Sequence, residues 1–401
     1  TQALALAQEL GNRQAQAKIY WNLMLLENWG EGAPEQAIEF GEKSLAIARE
    51  FNLREQLAYT LNDLAMAYMT AGRVEEAWSA LESGLEMFRV LDNKTTLAQA
   101  LLRAAMLSSM SGSFEKAHTL SEQGLELSAS IDDQLSQALA LYILSHIHWE
   151  RGGPEQVLDY ASRCIELAER AKAGAMALGA YALLAWVLGS MGQFERSLES
   201  IQMAKVTSRS FHPGEPPPDT WSAMLQAARV HAEVVTGTRE TKPVLAEKDL
   251  IPRPEHISLV SVDGYMVYIA SAELALVRGE YVRAVEMMDR LIAALAQVHI
   301  RPYGVYALYL KGKAMLALGN SNCAVEVWET ARREAEAMGS RTILWQVLSA
   351  LSKVEAERGR AAQAETLRVK AHELIKYIAN HTPDELRESF LNLPDVRAMM
   401  A

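Results

Sequence analysis

Leu61-Asn62-Asp63-Leu64-Ala65-Met66-Ala67-Tyr68-Met69-Thr70-Ala71-Gly72-Arg73-Val74-Glu75-Glu76-Ala77 decides the fold of this chain. Apolar residues at helical spacing run up to a glycine, and a second helical pattern restarts directly behind it. The restart returns as Gly112-Ser113-Phe114-Glu115-Lys116-Ala117 and as Gly279-Glu280-Tyr281-Val282-Arg283-Ala284. Gly72, Gly112, Gly152 and Gly192 stand 40 residues apart, as do Gly279, Gly319 and Gly359, and an earlier copy lies around Gly32.

The flanks repeat with the glycines. Seven residues before them stand Ala65, Ala105, Ser145, Ala185, Ala272, Gly312 and Ser352, all small; eleven before them stand Leu61, Leu101, Leu141, Tyr181, Tyr268, Leu308 and Leu348, all large. Small residues recur again five positions after most of the glycines, from Ala77 and Ala117 to Ala324 and Ala364. Spacings of four and seven put these residues on one helical face. Small side chains let two helices approach, and large ones seal the next layer. Glycine ends the first helix because a left-handed residue costs least there. Pro34 and Pro154 sit near helix starts, where a missing N–H does no harm. The period predicts an all-α solenoid of antiparallel helix pairs.

This pattern resembles the tetratricopeptide repeat over nearly the whole chain, in a form longer than the usual repeat of about 34 residues. The longer form is similar to the repeats of kinesin light chains, of the spindle-orientation adaptor family and of the MalT-like regions of bacterial signal-transduction ATPases. The resemblance implies a right-handed superhelix with a concave groove that binds a protein or peptide, or a small ligand.

Composition narrows the function classes. The chain has 401 residues, half of them apolar, and a formal charge of −11. An acidic chain with no Lys/Arg stripe repels phosphates, which argues against direct nucleic-acid binding. Cys164 and Cys323 read as reduced core thiols of a cytoplasmic protein. Ala173 to Phe194 carries no charge and could be taken for a membrane span, but its register makes it a central solenoid helix, apolar all round because it is buried. The sequence begins at Thr1 without a basic-then-apolar leader, and residues 3–11 read as the second helix of a pair whose first is missing, so a larger parent protein is expected.

Four regions follow: a half repeat plus five helix pairs over 1–207; a proline-rich stretch over 208–256; three pairs over 257–380; and a capping helix with a tail over 381–401. The second region holds seven of the twelve prolines. It reads as loops at 208–219 and 238–256 around one degenerate pair, with a helix from Trp221 to Thr236 ended near Gly237; a tolerated insertion, a hinge or a groove cover all fit. Thr382-Pro383-Asp384-Glu385 reads as a capping box opening a helix from Leu386 to Leu393 that stops at Pro394. Arg387 to Arg397 resembles the closing segment of repeat regions attached to bacterial ATPase and cyclase regulators.

Catalytic chemistry is not expected. There is no Gly-rich phosphate loop, no His-Glu-x-x-His, no paired-cysteine spacing and no nucleophile elbow, so neither a metal nor a cofactor is implied. His146 and His148 diverge on a helix, His148 toward the core and His146 outward. Carboxylates are expected on solvated faces. The first helix of each pair lines the inner wall of a solenoid, and its register nominates Tyr59, Asn62, Met66, Met69, Met106, Met110, Tyr142, His146, Trp149, Trp186, Tyr306 and Tyr309 as groove residues. Methionine adapts to varied partners and aromatics bring contact area. Asn62 is followed by Leu102 and Tyr142 at equivalent places, so no asparagine ladder for clamping a peptide backbone is expected. Glycine and alanine around Trp186 are expected to leave floor space beside its indole. The functional expectation is a sensor or interaction domain in the C-terminal part of a bacterial signalling or transcription-regulatory ATPase or cyclase. A passive adaptor scaffold is the alternative.

Overall fold

The computed structural model describes residues 2–29, 34–211, 219–237 and 264–400. Among them every regular element is a helix. After α1 (Gln2–Glu9) come five pairs: α2 (Arg13–Trp29) with α3 (Pro34–Glu50), α4 (Arg54–Thr70) with α5 (Val74–Val90), α6 (Lys94–Met110) with α7 (Phe114–Ser130), α8 (Gln134–Arg151) with α9 (Pro154–Arg170), and α10 (Gly174–Ser190) with α11 (Phe194–Phe211). Next is α12 (Asp219–Thr236), followed by α13 (Gly264–Arg278) with α14 (Tyr281–Gln297), α15 (Pro302–Ala317) with α16 (Ser321–Met338), and α17 (Arg341–Glu357) with α18 (Ala361–Asn380). The short α19 (Asp384–Leu391) and α20 (Pro394–Met400) close the array. Each helix packs on its partner and on the next pair, as a solenoid requires.

The turn chemistry explains the period. Gly72 has φ +75, and its N–H and that of Arg73 return to the carbonyls of Met69 (3.0 Å) and Tyr68 (2.8 Å). That pair of bonds satisfies orphan carbonyls at the helix end. A second left-handed residue sits between pairs: Asn52, Asp92, Asp132 and Lys172, then His299. Small residues do what the register demands. A Cβ on Gly312 would meet the Trp328 indole at 2.2 Å, and that buried indole donates from Nε1 to the Tyr309 carbonyl at 2.9 Å.

Helix α10 lies among α8, α9, α11 and α12, so its charge-free surface has apolar neighbours on every side. Among the described residues no helix is long and apolar enough to cross a membrane. Helix α12 occupies the expected span, ends at Gly237 (φ +70), and packs directly on α10 and α13. Residues 208–211 continue α11 instead of opening the first loop. The rest of that loop, the second loop and the expected partner of α12 lie outside the described residues.

Three local expectations need correction. Cys164 is buried and its thiol is pushed up to about 12 by burial, but Cys323 is exposed. Cys323 precedes Ala324, the small position of the repeat, by one residue, and one residue is 100° around a helix. Thr382 does not cap α19: its hydroxyl donates back to the Ile378 carbonyl (2.7 Å), and Arg387 instead gathers the carbonyls of Ala379 (2.8 Å) and Thr382 (3.1 Å). Pro394 is not a terminator; it opens α20, the position where proline fits a helix best.

The superhelix returns onto itself along a seam. The Arg301 N–H donates to the Met110 carbonyl (3.0 Å), and the Glu155 N–H donates to the His381 carbonyl (2.9 Å). The Thr342 hydroxyl donates to the Trp149 carbonyl, and Arg341 donates to the Arg151 carbonyl at 3.1 Å. Ser389 donates to the Met191 carbonyl at 2.8 Å. Helix α8 rests against α17. The turns at Gly72, Gly112, Gly152 and Gly192 press against Gln297, Met338, Ile378 and Ser389 in succession.

Candidate binding wall

Most of the residues nominated on the first helices of the pairs are covered by the protein's own side chains. Asn62, Met66, Met69, Met110, His146, Trp149, Trp186 and Tyr309 are buried; Met106, Tyr142 and Tyr306 are half-buried. Tyr59, also half-buried, departs from the wall. Its ring lies 5.8 Å from that of Trp21 and 5.5 Å from that of Phe88, and its hydroxyl meets Thr96 at 3.3 Å. Asn62 donates to its neighbour Asp63 at 3.2 Å. Asp63 is the hub here: it also accepts from the Trp21 indole (2.8 Å) and pairs with Arg103 (3.0 Å), tying α2, α4 and α6 together.

The floor beside Trp186 is occupied. A Cβ on Gly179 would meet Tyr142 at 3.2 Å and Trp221 at 3.4 Å, and one on Gly189 would meet Ala232 at 2.6 Å. The His231 ring stacks on the Trp186 indole at 3.8 Å and 4°. The small residues of α10 admit α12, not a guest.

One position repeats along the whole wall. Met66, Met106, His146, Trp186, His231, Glu273, Lys313 and Lys353 each stand six residues before a left-handed turn glycine. The ladder grades from methionine through aromatic rings to charge. Its last two rungs, Lys313 and Lys353, are exposed. Its middle forms a polar chain: Ser190 Oγ lies 2.8 Å from His231 Nε2, and His231 Nδ1 lies 2.9 Å from Glu273 Oε2. That order matches an oriented nucleophile. However, Ser190 also donates to the Trp186 carbonyl (2.9 Å) and Trp186 covers the imidazole face, so the chain braces α10, α12 and α13 against one another.

One histidine and one carboxylate differ from expectation. His146 is buried instead of outward, in edge contact with Tyr142 at 4.8 Å. His148 packs between His118 and Tyr160 as its register indicates, and burial beside His118 and Arg151 holds it down at about 4. Glu150 is not solvated. It is buried where α8 meets α15 and α17, and desolvation pushes it up to about 7, against weaker opposing effects of Ser340, Tyr306 and His146. Tyr306 in turn is raised well above the usual phenol value by burial and by Glu150. The register of the ladder could have found His231. Register puts Glu150 beside Trp149 on the nominated face, but its burial comes from helices far along the chain. Among the described residues no group of three or more His, Cys, Asp or Glu is arranged to hold a metal ion.

A family model described as the MalT-like TPR region matches residues 29–340. This chain belongs to that family. The MalT-like TPR region thus covers the described helices from α3 to α16, on both sides of the proline-rich stretch. No curated protein matches the chain. Among solved structures it is similar to a Rap protein crystallised in complex with Competence and Sporulation Factor. The two are 13% identical with a TM-score of 0.60, over 93% of this chain and 100% of that one. The yeast Tom70 crystal structure aligns with a TM-score of 0.37 at 13% identity, over 99% of this chain and 90% of that one. The Rap likeness establishes a shared fold.

Proposed function

We propose that this chain is a non-catalytic sensor and interaction domain that grips an extended protein or peptide segment along its inner wall when the seam has parted. The observation that carries this reading is the run of methionine and aromatic side chains on the wall, from Met66 and Met106 through Tyr142 and Trp149 to Trp186 and Tyr306. They sit behind a seam whose named contacts are hydrogen bonds and glycine-backed turns. Large adaptable apolar groups along a concave surface are the usual material of an interaction site. The Rap protein, similar in fold, was crystallised with a bound factor, which supports the same use of the array here. The family resemblance further supports a place within a larger bacterial signalling or transcription-regulatory ATPase, in the cytoplasm, with the state of the array read out by the rest of that protein.

The test is a peptide-display selection against the full chain, repeated with Met106→Arg and Tyr142→Ala. Selected peptides should bind the variants at least about tenfold more weakly, the loss expected for one contact worth about 1.4 kcal/mol. A selection that yields no binders, or binders indifferent to both substitutions, would remove the wall from the account. Scattering on the complex then separates a sensor from a passive scaffold: a sensor expands on binding, and a scaffold keeps its radius of gyration.

A further inference from the structure

Glu150 stands at the end of α8, 4% exposed, on the seam itself. The hydroxyls of Tyr306 from α15 and Ser340 from the start of α17 face it, with His146 one turn earlier on its own helix. Tyr265 of α13 lies behind Tyr306. The nearby guanidinium groups turn elsewhere. Arg151 pairs with exposed Glu115 at 2.6 Å, and Arg341 bonds the Arg151 carbonyl and lies over the Tyr377 ring at 4.4 Å. Glu150 Oε2, Tyr306 Oη and Ser340 Oγ are all buried without a well-formed hydrogen bond. The residues on either side of Glu150 make the seam: the Trp149 carbonyl accepts from Thr342, and the Arg151 carbonyl accepts from Arg341. The carboxylate thus sits between two bonds of the seam.

We propose that Glu150 is a protonation latch: while its carboxyl holds a proton the two halves of the solenoid stay joined, and loss of that proton parts them. The neutral acid has no charge to hydrate, so burial costs it far less than it costs the carboxylate, which must be desolvated to remain inside. In the parted state the group is hydrated and returns toward its ordinary value of 4.5, against about 7 when buried. The closed state therefore binds the proton more tightly. Its advantage is complete below about pH 4.5, declines as pH rises through the window, and is gone above about pH 7. Each unit of difference is about tenfold in the closed-to-open ratio, so the whole window is worth on the order of a hundredfold. A charged His146 would favour the carboxylate in place and narrow the window, while Tyr306 and Ser340 stay neutral across it.

The experiment is small-angle X-ray scattering of the full chain at pH 5.5 and 8.5, without any partner, for the unaltered protein and for Glu150→Gln. The amide is a neutral stand-in for the protonated acid. The unaltered protein should expand at the higher pH, and Glu150→Gln should stay compact at both. An unaltered protein with one radius of gyration throughout, or a Glu150→Gln variant that expands equally, overturns the latch. Should the variant fail to fold, hydrogen exchange of the unaltered chain decides. The Arg301 and Glu155 amides, corrected for intrinsic rates, should lose protection over this window, and constant protection overturns the proposal. Peptide binding is not involved, so the latch and the binding reading can fail separately.

Discussion

Gly112 and Gly359 hold the same place in the repeat and nearly the same backbone, φ +79 and +76, yet their surroundings are opposite. A methyl on Gly112 would run into Met338 at 2.3 Å, whereas one on Gly359 would meet nothing within 4 Å. The contrast holds for the halves as a whole. Gly72, Gly152 and Gly192 press on the returning chain, while Gly319 has open space around it and the nearest atom to Gly279 is 4.0 Å away. One local rule, a left-handed turn, built both halves. Only in the first half has the bare glycine also become a docking surface, because there the missing side chain leaves room for the returning chain, backbone at Gly72 and Gly192 and side chains at Gly112 and Gly152.

The largest effect should separate the two halves directly. Gly72→Ala places a Cβ 2.2 Å from the Gln297 carbonyl, a backbone atom that cannot swing aside. Left-handed strain of about 1 kcal/mol plus overpacking of about 1–3 kcal/mol should lower stability by about 2–4 kcal/mol in denaturant titration and expose the Arg301 amide to exchange. Gly359→Ala should cost the strain alone, about 1 kcal/mol, and leave that amide protected. Equal costs would mean that the seam contributes nothing.

A smaller effect comes from the seam's own hydrogen bonds. Thr342→Ala removes a buried hydroxyl that satisfies the Trp149 carbonyl, and it should cost about 1–2 kcal/mol and speed exchange at Arg301 and Glu155. Thr330 makes a similar bond to the Glu326 carbonyl, but on an exposed face, and Thr330→Ala should stay within about 0.5 kcal/mol of the parent. The smallest effect tests the turns between pairs. Lys172 adopts φ +56 with a side chain that gains nothing from it, so Lys172→Gly should raise stability by about 0.5 kcal/mol, whereas Asn52→Gly should be close to neutral because asparagine tolerates the left-handed region. A thermal midpoint that falls for Lys172→Gly would contradict this account of the turns.

The helix pairs and the turn inside each of them were legible, because the glycine, small and large positions recur at one period and each is decided by neighbours within about 40 residues. The second left-handed position was overlooked for a chemical reason: Asn52, Asp92, Asp132, Lys172 and His299 share a backbone angle but no side-chain type. The register of the nominated residues was legible, and their burial was not. Whether Met110 or Trp149 meets solvent depends on where the returning chain lies, and that follows from small rotations accumulated over many pairs. Glu150 looked like any other acid for the same reason. The Cys323 reading failed on a single step of register, and the Thr382 reading failed because that hydroxyl turns back to donate to the Ile378 carbonyl of the preceding helix.

The contacts that close the array join residues 190 and 193 positions apart, at Arg151 with Arg341 and at Trp149 with Thr342. Circumference is thereby tied to copy number. Excising or duplicating one 40-residue unit between α8 and α17 would leave every hairpin locally content, yet Thr342 would arrive opposite the wrong carbonyl. The interior of this array can drift in composition, but it cannot gain or lose a unit without putting this seam out of register.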